Sequence, residues 1–389
     1  LARGFCALGA QKPNWWGKES FAQGFREEGI MSRIRIGVIG CGLIAQVMHL
    51  PHLKELHDLF EVAALSDVSP GTLKYVGDYY GVSRRYGDYR DLLKEPMDAV
   101  AIFSADSHGP VIVDALAAGK HIFAEKPMCF TLREADEILT AHKSAGTVCM
   151  VTYMKRYDPA VRYAQPLIHN LKDLQTIHIT ILHPSEANQI GHHNVRRIPD
   201  VPADLQARLR AEQDALIREV IGEFTPLERR VFANNLLSTL VHDINLLRGL
   251  SGDPESVLFT DVWAGGDGLV TCLRYASGVR AIISLQYLWD LADYEETVAY
   301  YAKGDRIRLV FPSPFFRNMP TSVFVEGTEN GRPFEKQVVA SLHEAFKEEL
   351  LHFAECVHTG RTPITTPEEA RGDVALLHQI FRAIQRPLK

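Results

Sequence analysis

No stretch of this sequence reaches the roughly 18 consecutive apolar residues that a membrane-spanning helix needs, so no such helix is expected. Positive charge is not in excess. Lys and Arg number 42 against 48 Asp and Glu, a formal net charge of −6. Nucleic acid and anionic membrane surfaces select basic partners, so neither is expected as a partner. Cysteine is sparse. The six (Cys6, Cys41, Cys129, Cys149, Cys272 and Cys356) are scattered through a chain too large to need disulfide staples, and reduced thiols in a cytoplasmic protein are the expectation. Histidines with metal-ligand spacing are also lacking. His192 and His193 are adjacent and His183 is nearby, but no helix or strand spacing makes them converge, so no metal is expected. Internal repeats and low-complexity tracts are absent.

What is present is an ordinary globular composition, with 46% apolar and 23% charged residues over a length that suggests two domains. Residues 1–30 have no clear hydrophobic period, and "FCALGA" is short for a secretory signal. Met31 stands just before a strong strand. Residues 1–32 are therefore set aside as an N-terminal extension, with Met31 the expected start or the preceding residues a loosely attached segment. From residue 33 to about 153, apolar strands alternate with helices: "RIRIGVIG", "FEVAALSD", "DAVAIFSA", "HIFAEKP" and "TVCMVTY" are the strands. The helix "LIAQVMHLPHLKEL" is expected to kink or end at Pro51. "TLREADEIL" opens with Thr131 and Glu134 as a capping box. Repeated βα units of this length require a parallel sheet. Residues 154–389 have a different grammar. Short strands between turn residues, from "LQTIHITILHP" to "DRIRLVFP", predict a mostly antiparallel open sheet with helices around it. A charged helical insertion occupies about 185–235. The fold class is an α/β domain with a parallel sheet followed by an α+β domain for substrate binding and oligomerisation.

"GVIGCGLIA" places Gly40, Gly42 and Ala45 as G-x-G-x-x-A between a strand and a helix. Glycines there allow a tight turn and close approach of backbone to a pyrophosphate. The helix start at Leu43 and Ile44 offers free N–H groups to its charge. Asp67, ending the second strand, can accept bonds from both ribose hydroxyls and would repel a 2′-phosphate. This selects NAD over NADP in a Rossmann-type domain, although a carboxylate there also suits helix capping. "KHIFAEKPMC" ends a strand with Glu125 and Lys126 before Pro127. Parallel strands deliver their C-terminal residues to the ligand crevice, so Lys126 can hold a substrate oxygen beside nicotinamide. A surface ion pair is the bland alternative.

Taken in order, "IGVIGCGLIAQ", "HGPVIVDALAAGKHIFAEKP", "MVTYMKRYDPAVRYA", "STLVHDINLLRGL" and the tail from "FKEELLHFAEC" resemble the Gfo/Idh/MocA oxidoreductases, the family of glucose–fructose oxidoreductase and inositol dehydrogenase. The resemblance implies that Glu125 and Lys126 contact cofactor, Lys126 also touching substrate, and that His242 is the acid/base. It implies a cofactor-lining loop at Ser104, Ala105, Asp106 and His108, and substrate contacts at Arg156 and Tyr157. The family often carries an aspartate four residues before the histidine. Here that position is Ser238, which on a shared helix face can orient His242 but cannot raise its basicity. Asp243 points elsewhere on a helix and is not expected to replace the acid.

The expected function is NAD-dependent hydride transfer between nicotinamide and a secondary alcohol of a sugar, inositol or sugar derivative. Two alternatives stand: redox-neutral, NAD-dependent cleavage of a glycosidic bond, and a non-catalytic dinucleotide-binding sensor. The insertion is expected to cover or shape the pocket. Val279, Ala281, Ile283 and Leu285 alternate along one strand, which predicts an apolar face left for a partner, hence a homodimer or homotetramer through the C-terminal sheet.

Overall fold

A computed structural model describes residues 32–385. The N-terminal extension foreseen for residues 1–32 lies, but for its last residue, outside them.

Strands β1 (Ile34–Ile39), β2 (Phe60–Ser66), β3 (Arg85–Tyr86), β4 (Ala99–Ile102), β5 (His121–Glu125) and β6 (Cys149–Thr152) form a parallel sheet in the order β3-β2-β1-β4-β5-β6. Their apolar runs are buried on both faces, as helices cover a parallel sheet from both sides. Helix α1 follows the glycine loop and changes register along its length. Ala45–His49 is π-helical and Leu50–Glu55 is α-helical. Pro51 does not end this helix. It sits in the first turn after the register change. Helix α2 (Pro70–Tyr80) is capped by Ser69, with Pro70 at its first position. The short α3 (Tyr89–Leu92) and α4 (Gly109–Ala117) connect β3 to β4 and β4 to β5, and the Thr131/Glu134 capping box opens α5 (Leu132–Ala145).

The second sheet has eight strands, in the order β14-β13-β12-β11-β7-β10-β9-β8. They are β7 (Leu174–His183), β8 (Ser256–Trp263), β9 (Gly268–Arg274), β10 (Arg280–Tyr287), β11 (Glu295–Ala302), β12 (Arg306–Phe311), β13 (Ser322–Glu329) and β14 (Arg332–Val339). Every pairing is antiparallel except β7 with β10. Val279, Ala281, Ile283 and Leu285 are buried within this single chain, in the core between sheet and helices. Their alternation marks the covered face of β10, not the open one. The open face carries the intervening residues, such as Ile282, Ser284 and Gln286.

Helix α6 (Pro159–His169) leads from the first sheet to the second. The insertion then supplies α7 (Glu186–Ile190), an extended strap to residue 202, and α8 (Ala203–Ile221). One continuous helix, α9, comes next in three registers: Pro226–Arg230, a π-helical run Val231–Leu240, and Val241–Ser251. The last helices are α10 (Ala345–Thr359) and α11 (Pro367–Arg382). Chain order and packing part company here. Leu350, Phe353 and Cys356 of α10 share a buried cluster with Ile36 and Val38 of β1 and Phe123 of β5. Val151 N donates to Thr365 O at 3.2 Å. The C-terminal segment thus completes the core of the first sheet. No helix among the described residues is long and apolar enough to cross a membrane.

Candidate functional site

The glycine loop is shaped by one close approach. Gly40 has φ +94°, and a Cβ there would lie 2.4 Å from Ser104 N. Only glycine lets β1 turn against the loop that follows β4. Gly42, by contrast, faces open space, with nothing within 4 Å of where a Cβ would sit. Leu43 and Ile44 follow it half-buried at the start of α1. Asp67 closes the turn from the other side. Its Oδ2 accepts from Cys41 N at 2.7 Å, and its Oδ1 from Ser69 N at 2.8 Å. Each oxygen keeps a lone pair after that, so capping leaves room for a further donor. A loop with open space over its glycine, a helix start behind it and a carboxylate beside it fits a dinucleotide.

Ser104, Ala105 and Asp106 continue the groove wall. His108 lies beneath them, buried. Its Nε2 donates to Ser104 O at 2.7 Å, and burial holds its pKa below the imidazole range. A neutral His108 therefore supports the loop and does not face the groove. Asp106 has φ 75°, and its carboxylate accepts from Gln213 of α8. Burial pushes its pKa up, with the charge of Arg229 opposing.

Glu125 and Lys126 part at the end of β5 instead of pairing with each other. The Glu125 side chain turns inward, where His49 Nε2 meets its Oε1 at 2.6 Å and the His49 ring stacks on Phe103 at 4.1 Å. Burial opposes its ionisation, but the bond and charge of His49 and the charge of Lys126 outweigh that, leaving the carboxyl below its usual range. Its second oxygen accepts from Lys126 N at 3.1 Å. The Lys126 side chain turns outward and its Nζ donates to Ser238 O of α9 at 3.0 Å. Burial lowers the pKa of Lys126, with Glu125 opposing and Lys155 adding to the shift.

His242 begins the next turn of α9. Its Nδ1 is buried without a hydrogen-bond partner among the described residues. Burial, then the positive charges of Lys126 and Lys155, holds its pKa well below the imidazole value. Ser238 does not orient it as expected. It is the Ser238 carbonyl, not its hydroxyl, that meets Lys126. Thr239 is the side chain that reaches across the cleft, its Oγ1 lying 2.7 Å from the Tyr287 hydroxyl.

The segment "YMKRYDP" contributes a residue that the sequence reading passed over. Arg156 points away, its Nη1 3.4 Å from Asn245 O and 3.5 Å from Glu369 Oε2. Tyr157 is fully buried, bonded to Thr365 Oγ1 at 2.6 Å. Neither joins Lys126 and His242, because a single 3-10 turn at Met154–Arg156 sends successive side chains in different directions. Lys155 is the one that turns to the cleft. Its Nζ donates to Asp243 Oδ1 at 2.8 Å and also bonds Glu296, all three side chains being almost fully buried. Tyr294 donates to the other Glu296 oxygen at 2.5 Å. Burial drives the Asp243 carboxyl well up, with Lys155 opposing and Glu296 adding. Burial acts the same way on Glu296, but Lys155 and the hydrogen bonds it receives outweigh it and hold its carboxyl below the usual range. Asp243 does not replace the absent acid at Ser238; it serves Lys155. Glu296 had a signal in the sequence, since it shares parity with Val298 and Tyr300 along β11, a carboxylate on the buried face of a strand.

The insertion lies mainly against the dinucleotide groove. Gln46 of α1 and Arg196 of the strap form a reciprocal pair: Gln46 Nε2 donates to Arg196 O at 3.0 Å, and Arg196 N to Gln46 Oε1 at 2.9 Å. Ile198 N donates to Thr72 Oγ1 at 3.0 Å. From α8, Gln213 reaches Asp106 and Glu219 pairs with Arg133 at 2.9 Å. His183 and His193 are each spent on a backbone carbonyl, Pro184 O at 3.0 Å and Phe315 O at 2.7 Å.

Residues 34–153 match the sequence model described as an oxidoreductase family with an NAD-binding Rossmann fold, Gfo/Idh/MocA. The chain is 26% identical to a myo-inositol 2-dehydrogenase of Thermotoga maritima, over 88% of this chain and 93% of that one. It is 24% identical to a scyllo-inositol 2-dehydrogenase (NAD+) of Bacillus subtilis, over 87% and 90%. Its fold matches that of KijD10, a 3-ketoreductase from Actinomadura kijaniata solved with NADP and TDP-benzene. That match has a TM-score of 0.69 and 20% identity, and covers 91% of this chain and 98% of the other.

Proposed function

We propose, for a chain that belongs to the Gfo/Idh/MocA family of oxidoreductases, that it moves hydride between NAD and a secondary alcohol of a sugar, inositol or related polyol. The observation that carries this reading is the convergence of Lys126, from the end of a parallel strand, with the turn of α9 that precedes His242. Bound NAD would supply the hydride acceptor, held by the glycine loop at Gly40 and Gly42, by Asp67 and by the 104–106 wall. His242, kept neutral, takes the hydroxyl proton as the alcohol carbon becomes a carbonyl carbon. Lys126 stabilises negative charge on that oxygen. Burial, and then the positive charges of Lys126 and Lys155, keep the imidazole from protonating in the resting state.

Purified protein incubated with NAD and a panel of inositols, aldoses, sugar acids and glycosides should raise absorbance at 340 nm with at least one polyol. Absence of reduction across the panel, with glycoside cleavage instead, would replace the reading with redox-neutral hydrolysis. The strap across the groove favours that second reading, because a retained cofactor is what such chemistry needs. For assembly, we infer that the open face of the eight-stranded sheet pairs with a second copy. Light scattering at micromolar protein should give a dimer or tetramer, and a monomeric mass would remove the inference.

A further inference from the structure

We infer that Asp200, from the insertion strap, is a second determinant of cofactor choice and acts by filling the anion position that the 2′-phosphate of NADP would take. The inference rests on the dinucleotide reading of the groove. Its starting point is the N-terminus of α2, an eleven-residue helix that follows Asp67 directly. Helix starts bind phosphate through free N–H groups and the helix dipole. This one is already occupied by a carboxylate. Gly71 N donates to Asp200 Oδ2 at 2.7 Å, and Ser69 Oγ lies 2.5 Å from Asp200 Oδ1 and 3.1 Å from Ile198 O.

The position matters because of its neighbour. Asp67, the acid placed to read the ribose diol, accepts from the backbone N–H of the same Ser69. Two carboxylates therefore flank one residue, and neither makes an ion pair with a cation among the described residues. A ribose hydroxyl can donate to such a pair. A 2′-phosphate, with nearly two negative charges and no proton to give, meets repulsion from both and finds the N–H of Gly71 taken. Asp67 is a local determinant, written into the βαβ unit. Asp200 is a remote one, about 130 residues downstream by its hydrogen-bond separation, and it arrives only because the strap is pinned at Gln46 and Thr72. The fit is exclusive: a Cβ on Gly71 would lie 2.6 Å from Asp200 Oδ2 and 2.9 Å from Ile198 Cγ2.

The test is a fluorescence titration of the full chain with NADH and with NADPH, for the wild type, Asp200→Asn, Gly71→Ala and Arg196→Ala. Asp200→Asn keeps the shape and removes the charge. Removing one charge this close to a phosphate should shift the NADPH/NADH affinity ratio toward NADPH by about tenfold or more, with NADH affinity held within about threefold. Gly71→Ala, whose Cβ displaces the carboxylate while leaving Asp200 itself unchanged, should shift the ratio the same way. Arg196→Ala, a neighbouring strap charge, should not. Wild-type binding of NADH together with an unchanged ratio in a folded Asp200→Asn variant would overturn this inference and leave the dinucleotide reading intact. A wild type that binds neither nucleotide would overturn both.

Discussion

Replacing Lys155 by methionine tests how far the buried cluster behind His242 supports the fold as well as the site. The Lys155 and Glu296 side chains are 6% and 2% exposed, and Asp243 is 2% exposed. Methionine keeps the stem and deletes the ammonium, so an ionised Glu296 is left beside Asp243 with no cation. Breaking a buried pair by removing one partner costs about 3–5 kcal/mol. For a chain of this size that is a fall in Tm of roughly 5 °C. The pH dependence carries the sign. In the wild type Lys155 keeps the Glu296 pKa low, which stabilises the fold above the unfolded carboxylate value and is lost as pH falls. In the variant the folded pKa rises above the unfolded one, so stability is present below about pH 4 and is lost as pH climbs through the raised value. The deficit between the two proteins should therefore be large at neutral pH and shrink in acid. Thermal melts by circular dichroism across that range would show it. Adding Glu296→Gln to Lys155→Met should recover a good part of the loss, since no charge then remains unpaired. A single variant melting with the wild type at every pH would mean that the three side chains are solvated or apart, and the account of a fixed charge beside His242 would fall with it.

Lys126→Ala should cut kcat by about a hundredfold or more while leaving NADH binding nearly unchanged, and combining it with His242→Ala should cost little beyond the worse single change, as for groups that serve one transition state. The pH profile of kcat/KM should have its acid limb below the ordinary imidazole value of about 6.5 and its alkaline limb below the ordinary lysine value of about 10.4, because both pKa values are lowered. His242→Ala should erase the acid limb, and a wild-type limb centred above about pH 7 would contradict the positive charges placed around that ring. Asp67→Ala should weaken NADH much more than NADPH in the same titration used for Asp200. Equal losses would make Asp67 a structural cap and nothing more.

The parallel sheet, the glycine loop and the strand ends at Asp67 and Lys126 were legible because their signals are local: an apolar run, a motif with a strand before it and a helix after it, a capping box. His242 had no such signal and was named only through the family resemblance. Contacts made by register were not. Arg156, Tyr157 and Lys155 are consecutive, and which of them meets the cleft depends on one 3-10 turn that no periodicity announces. Ser238 was read for its hydroxyl, but the contact it makes across the site is through its backbone carbonyl, to Lys126, which no side-chain pattern announces. The alternation in β10 was read correctly as one apolar face, yet the sequence does not say which face the helices cover. The hairpin of β13 and β14 was passed over, although its turn was written out. Asn330 and Gly331, with φ 53° and 74°, are the Asn-Gly pair that a two-residue hairpin demands. The strap and its contacts with the groove had no local signal, because they exist only between segments far apart in the chain.

Gly71 ties the history of the two halves together. Within its own helix nothing requires glycine at the second position, and most residues would suit a first turn better. The requirement comes from a segment that belongs to the other half of the molecule. A lineage that gained the strap had to hold a side chain of hydrogen at position 71, and one that lost it was free to fill the place. The two positions should therefore vary as a pair across descendants of a common ancestor. Glycine at 71 should accompany an acid at 200, and a larger residue at 71 should accompany a shortened insertion. The dinucleotide-binding half of the chain would then carry, in a single missing methyl group, a record of whether the strap is present.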